Sequence, residues 1–195
     1  MWFRSTLFFA IYIFIAIKGD KYIRFTNTNC SVNSDYACLT KCNLKALSRE
    51  RVTSNVEVFI LKDVLNATIH LTGFKMASTG RYNPYLVNYR ARACDIIKEK
   101  PGINFVLKQT LRVMRKYSNI VKCEQKAGLY YFRDVEITYQ MVKVFLDIGR
   151  YMLKIDFYEG IKGDFITLGN YTVIFNVIET YKKNVRKKHK EVEII

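Results

Sequence analysis

Five stretches of this chain alternate apolar and polar side chains with a period of two, the spacing of a strand with one buried and one solvated face. The clearest is Tyr85 to Ala93, where Tyr85, Val87, Tyr89, Ala91 and Ala93 face one way and Asn88, Arg90 and Arg92 the other. In Asn55 to Leu61, Val56, Val58 and Ile60 alternate with Asn55, Glu57 and the exception Phe59. Ala67 to Phe74 sets Ile69 and Leu71 against Thr68, His70 and Thr72. Leu153, Ile155 and Phe157 alternate with Lys154 and Asp156, and Tyr171, Val173, Phe175 and Val177 alternate less cleanly with Thr172, Ile174 and Asn176. Turn-like pieces at Ser78-Thr79-Gly80, Asn83-Pro84 and Gly160 to Gly163 separate the runs at short spacing. That is how an antiparallel β-sandwich reads, so the expected fold is mainly β.

One stretch has another period. From Pro101 to Ser118 the apolar residues Ile103, Val106, Leu107, Leu111 and Met114 recur at helical spacing, with Lys108, Arg112, Arg115 and Lys116 elsewhere on the wheel. This predicts one amphipathic helix over 101–118, inserted in the β fold and bracketed by Cys94 and Cys123. Asn27 to Asn43 is cysteine-rich and polar and is expected to be irregular.

The N-terminus reads as an address. A short basic start, Met1 to Arg4, is followed by an apolar run from Ser5 to Ile17 that ends at Lys18 and Gly19. The run falls within the roughly 7 to 15 residues of a signal-peptide core and short of the roughly 20 that span a bilayer. The expected organisation is a signal peptide over 1–19, one domain over 20–181 and a basic tail over 182–195, in a secreted, extracellular protein. In an oxidising compartment the five cysteines, Cys30, Cys38, Cys42, Cys94 and Cys123, tend to pair, and the odd count leaves one over. There is no C-x-x-C repeat, and His70 and His189 are the only histidines, so no metal and no cofactor is expected. Sequons at Asn29, Asn66 and Asn170 fit a secreted glycoprotein.

No nucleophile elbow, zinc-protease helix, dinucleotide fingerprint or phosphate loop occurs, and neither histidine has an evident catalytic partner. The expectation is a protein without catalytic residues. The formal charge of +15 comes with a 50% hydrophobic composition, which excludes a disordered polyelectrolyte. A secreted chain without a recognised nucleic-acid module is not expected to bind nucleic acid. Arg112, Arg115 and Lys116, with Lys182, Lys183, Arg186, Lys187, Lys188 and Lys190 of the tail, would suit a receptor, an anionic membrane or a glycosaminoglycan. The inward series Val56, Val58, Ile60, Ile69, Leu71, Tyr85, Val87, Tyr89, Leu153, Ile155, Phe157, Val173, Phe175 and Val177 either packs shut or lines a pocket for an apolar small molecule or lipid. Two functions follow: a carrier of such a ligand, or an interaction protein with a closed core and a basic face.

Several local patterns, in order, carry a family resemblance. They are Phe25-Thr26-Asn27 before Cys30, the segment Cys42 to Arg49, Tyr82-Asn83-Pro84-Tyr85-Leu86 leading through Asn88 to Cys94, Ser118-Asn119-Ile120 before Cys123, and Gly149 with Tyr151 before a strand. Together they resemble an insect family of secreted proteins related to the chemosensory CheB proteins and similar to the ML lipid-recognition fold. The resemblance implies an immunoglobulin-like β-sandwich whose sheets splay around an apolar ligand, without catalytic residues and with a role in chemosensation. It also implies disulfides Cys30 to Cys42 and Cys94 to Cys123, leaving Cys38 as the extra, free cysteine. The chain departs from the pattern at Arg92, Glu124 and Cys38.

Overall fold

The computed structural model describes residues 20–48, 51–99, 101, 108, 112, 115–120, 122–136, 139, 146–160 and 165–180. The chain divides into two compact units, Tyr22–Ile178 and Met1–Lys21 with Glu179–Ile195. Everything below concerns the first. The expected signal peptide and the basic tail, His189 included, lie outside the described residues.

In chain order the elements are β1 (Asp20–Val32), β2 (Ala37–Ala46), β3 (Val52–Ile60), β4 (Ala67–Met76), β5 (Tyr82–Arg92), α1 (Ala93–Ile97), β6 (Gly128–Val135), β7 (Gly149–Glu159) and β8 (Ile166–Thr180). They form a five-stranded sheet in the order β1-β8-β7-β4-β5 and a three-stranded sheet in the order β2-β3-β6. The architecture is a mainly β sandwich, as the period-two runs predict. All five runs fall on strands, β3, β4, β5, β7 and β8.

Register turns the separate alternations into one apolar surface. Leu71 lies opposite Tyr89 on one side and Ile155 on the other, and Ile155 lies opposite Tyr171. One step along, Ile69 lies between Ala91 and Phe157. In the smaller sheet Val56 lies opposite Cys42 and Phe132, and Val58 opposite Leu39 and Tyr130. Same-face neighbours in adjacent strands are the packing unit of a sheet, so each sheet presents an apolar face to the other.

Two connections cross between the sheets near β1 and β2. Cys30 of β1 is bonded to Cys42 of β2, closing a sequence separation of 12 residues. Ser54 Oγ of β3 is hydrogen-bonded at 2.8 Å to Tyr171 Oη of β8. Along the same margin β1 lies close to β8, where a Cβ on Gly169 would stand 2.5 Å from Ser31 O, so only glycine leaves room for that backbone.

Three expectations are corrected. Asn27 to Asn43 is not irregular: it holds the end of β1, a turn and the start of β2. These are edge strands of their sheets, which tolerate the polar residues that hid them, and Thr26 and Thr28 hydroxyls donate to the carbonyls of Ile174 and Thr172 in β8. The turn between them is local chemistry, with Asn33 Oδ1 accepting from Asp35 N and Asn33 O from Tyr36 N and Ala37 N. Asn83-Pro84 is not a turn: both residues lie within β5, paired with Lys75 and Phe74. β5 is an edge strand and its register shifts between Thr72 and Phe74, the setting in which a strand accepts proline. Ala93 opens α1 instead of closing the strand before it, and α1, like β6, has no counterpart in the expected elements. Of the predicted helix over 101–118, Lys108, Arg112 and residues 115–117 are helical, Pro101 is in a turn, and most of the rest lies outside the described residues.

On the chain-entropy model a crosslink of this loop length contributes about 3 kcal/mol. Replacing Cys30 and Cys42 together by Ser is expected to cost about that much, read as a lowered urea midpoint. An unchanged midpoint would show that the sheets do not depend on this staple.

Candidate functional site

The inward residues of the sandwich are unusual for a core because most are only half-buried. Leu153 and Ile155 sit in β7, the middle strand of the larger sheet, yet neither is buried, and the same holds for Val56, Val58, Ile69 and Val87. Closely packed interiors leave few voids larger than a water molecule, so half-exposed side chains on an inner face mean that the facing sheet does not reach them. Between the sheets lies a partly open cavity of about 390 Å³. Two small packed clusters border it, one of Ile23, Phe25, Tyr151, Val173 and Val177 and the other of Leu71 with Ile96.

The cavity wall has an aromatic end. Tyr151 stacks on Phe175 at 5.6 Å between centroids, Phe25 meets Phe175 edge-on at 6.3 Å, and Tyr85 tilts against Tyr151 at 5.7 Å. Lys75 Nζ lies over the rings of Tyr85 and Tyr151. Toward α1 the wall is aliphatic, with Ile96 and Ile97 of α1 joined by Ile120 and Val64. Among the described residues of the wall there is no Lys, Arg, Asp, Glu or His. Its buried polar groups include the Ser54–Tyr171 pair. Burial pushes the Tyr171 phenol up from its ordinary value, against the downward pull of its hydrogen bonds to Ser54 and Thr28, so it is a neutral hydroxyl at physiological pH.

Of the inward series expected from the sequence, all line the cavity except Tyr89 and Val177. Val177 is sealed in the aromatic cluster, and Tyr89 packs against Leu71 and Ile96. Sequence reasoning missed Ile23, Phe25, Ser54, Tyr151, Tyr171 and the wall contributed by α1 and β6 as lining residues. The alternation Ile23-Arg24-Phe25 carries the same period-two signal, so part of this was readable.

The cysteines divide differently from the expectation. Cys30 and Cys42 are bonded and Cys38 is an exposed thiol. The expected second disulfide is not formed: Cys94 and Cys123 are free thiols. They are nonetheless neighbours, and burial together with hydrogen bonding to Cys123 pushes the Cys94 thiol up to about 11, which holds it protonated and slow to exchange. The pair joins α1, after β5, to the segment leading into β6, on the margin of the sandwich away from Cys30 and Cys42.

Among the sequons, Asn29 and Asn66 are exposed, while Asn170 is half-buried and donates from Nδ2 to Ser31 Oγ at 2.7 Å. Arg112, Arg115 and Lys116 are exposed, but Arg115 is ion-paired to Glu99 and donates to Ile97 O, so its charge is partly spent within the molecule. His70 lies on the polar side of β4, with Nε2 hydrogen-bonded to Asn88 Oδ1 at 2.8 Å. No group of metal-ligating side chains occurs among the described residues, and no helix among them is long and apolar enough to cross a membrane.

Residues 69–153 match the family described as "Protein of unknown function (DUF1091)". The matched segment runs from β4 through α1 and β6 into the start of β7, so it supplies α1 and part of the cavity wall from both sheets. No curated protein matches. Among solved structures the chain is similar to the C-terminal domain of wzt at 10% identity and a TM-score of 0.37, over 79% of each chain.

Alkylation of the native protein is expected to modify the exposed Cys38 first and Cys94 last, resolved by peptide mass spectrometry over time. Equal rates would contradict the burial and protonation assigned to Cys94.

Proposed function

We propose that this chain is a secreted, non-enzymatic binding protein that holds a small apolar molecule, a lipid or a hydrocarbon, between its two sheets. The observation that carries this reading is the cavity of about 390 Å³ whose described wall has no charged side chain. That volume lies in the range of small-molecule sites, and burial in such a site is driven at about 25 cal/mol per Å² of apolar surface. The resemblance to the ML lipid-recognition fold and to chemosensory relatives supports the same class of ligand and an extracellular setting, as do the apolar N-terminal run and the Cys30–Cys42 bond. An open cavity weighs against the alternative, an interaction protein with a closed core that meets an anionic surface or receptor through its basic face. The internal pairing of Arg115 weighs the same way.

Native mass spectrometry of the protein purified from a eukaryotic secretion system, with extraction of bound lipid, tests the reading. Apolar molecules are expected to co-purify at near one per chain and to be lost when Val87 or Phe175 is changed to Glu in a variant that still melts cooperatively. A protein that is empty, takes up no apolar probe and binds heparin or anionic vesicles in a salt-dependent way would overturn it in favour of the basic face.

A further inference from the structure

The cavity wall selects among apolar ligands by what it lacks and by one thing it has. A carboxylate or ammonium group taken into this space would meet no opposite charge among the described wall residues, and an unpaired buried charge is far more costly than an unpaired hydroxyl. Charged amphiphiles are therefore poor occupants. Several of the wall's other polar side chains are already engaged: Asn170 Nδ2 with Ser31, Gln125 Nε2 with Lys122 O, and the Tyr151 hydroxyl with Asp147 O.

The Ser54–Tyr171 pair spans the two sheets, and two hydroxyls joined by one hydrogen bond leave hydrogen-bonding capacity unused. Either oxygen can be the donor at 2.8 Å. If Tyr171 donates to Ser54, the Ser54 O–H is left to donate and finds an acceptor in a ligand oxygen. If Ser54 donates to Tyr171, Ser54 Oγ keeps open lone pairs for a ligand O–H and the Tyr171 O–H is left to donate to a ligand oxygen. A carbonyl oxygen can only accept, whereas a hydroxyl both donates and accepts and so uses the capacity left in either arrangement.

We propose that the ligand is an uncharged aliphatic alcohol, held in the cavity by apolar burial and oriented by a hydrogen bond between its hydroxyl and the Ser54–Tyr171 pair. This rests on the apolar-ligand reading above and adds to it a ligand class and two specificity-determining residues. Ser54 is buried in β3 and Tyr171 stands on β8, so the anchor bridges the two sheets and the hydroxyl end of the ligand lies on the margin that Cys30 and Cys42 close.

The test is displacement of the fluorescent apolar probe N-phenyl-1-naphthylamine by dodecane, 1-dodecanol and dodecanoate from the full secreted chain, in the wild type, Ser54→Ala and Tyr171→Phe. One neutral hydrogen bond corresponds to about a three- to tenfold change in affinity. Dodecanol is expected to bind each variant three- to tenfold more weakly than it binds the wild type, with dodecane affinity unchanged and dodecanoate at pH 8 weaker than dodecanol throughout. The unchanged dodecane affinity shows that the cavity is intact, and if Tyr171→Phe fails to fold, Ser54→Ala decides. Dodecanol affinity that survives both substitutions, or dodecanoate binding as tightly as dodecanol, would overturn the anchor while leaving the carrier reading in place. A wild-type protein from which none of the three displaces the probe, or which takes up no probe, would overturn the carrier reading and the anchor with it.

Discussion

The structure depends on how its two sheets are tied together along one margin. β1 and β2 are consecutive in sequence but belong to different sheets, and the Cys30–Cys42 bond ties them across the sandwich. The Ser54–Tyr171 hydrogen bond repeats the tie one strand further in. Apolar packing pulls two sheets together wherever their side chains can interdigitate, and a covalent staple with a polar strut fixes how that margin closes. On the other margin α1 and the segment ahead of β6 supply the wall, with Cys94 and Cys123 adjacent but unbonded. One side is fixed by covalent chemistry, and the other by side-chain contact.

The cavity has an energetic consequence for the fold. Side chains that face a space of about 390 Å³ forgo the close packing contacts of a sealed core, so this part of the sandwich contributes less to stability than its apolar composition would allow. Ser54 and Tyr171 are hydrogen-bonded to each other across the sheets, so neither hydroxyl on the apolar face is without a partner, though each keeps capacity for another.

Most of the larger sheet was legible in the sequence because β4, β5 and β7 alternate cleanly and β8 less so, and Val87, Leu153, Ile155 and Phe175 point inward as their spacing predicts. The smaller sheet was less legible. β2 is an edge strand whose residues are mostly exposed, so Thr40, Lys41 and Asn43 obscure the period of Leu39, Cys42 and Leu44, and β6 reads Leu129-Tyr130-Tyr131-Phe132 with no polar residue to mark a face. The cavity itself could not be read from sequence. A period-two stripe is the same whether the opposite sheet closes on it or stands away, and the separation depends on contacts distant in sequence, such as Ser54 with Tyr171, 117 residues apart. Turn chemistry was partly misleading, since Asn83-Pro84 carries a turn signature but sits in an edge strand that needs no donor from Pro84.

A crystal structure of the protein soaked with a terminally brominated long-chain alcohol tests most directly whether the space between the sheets is the binding site. The anomalous signal of bromine is expected between the sheets, toward the aromatic end formed by Phe25, Tyr85, Tyr151 and Phe175. Bromine found only on the outer surface, or a core closed over Leu153 and Ile155 with no space for a ligand, would contradict it.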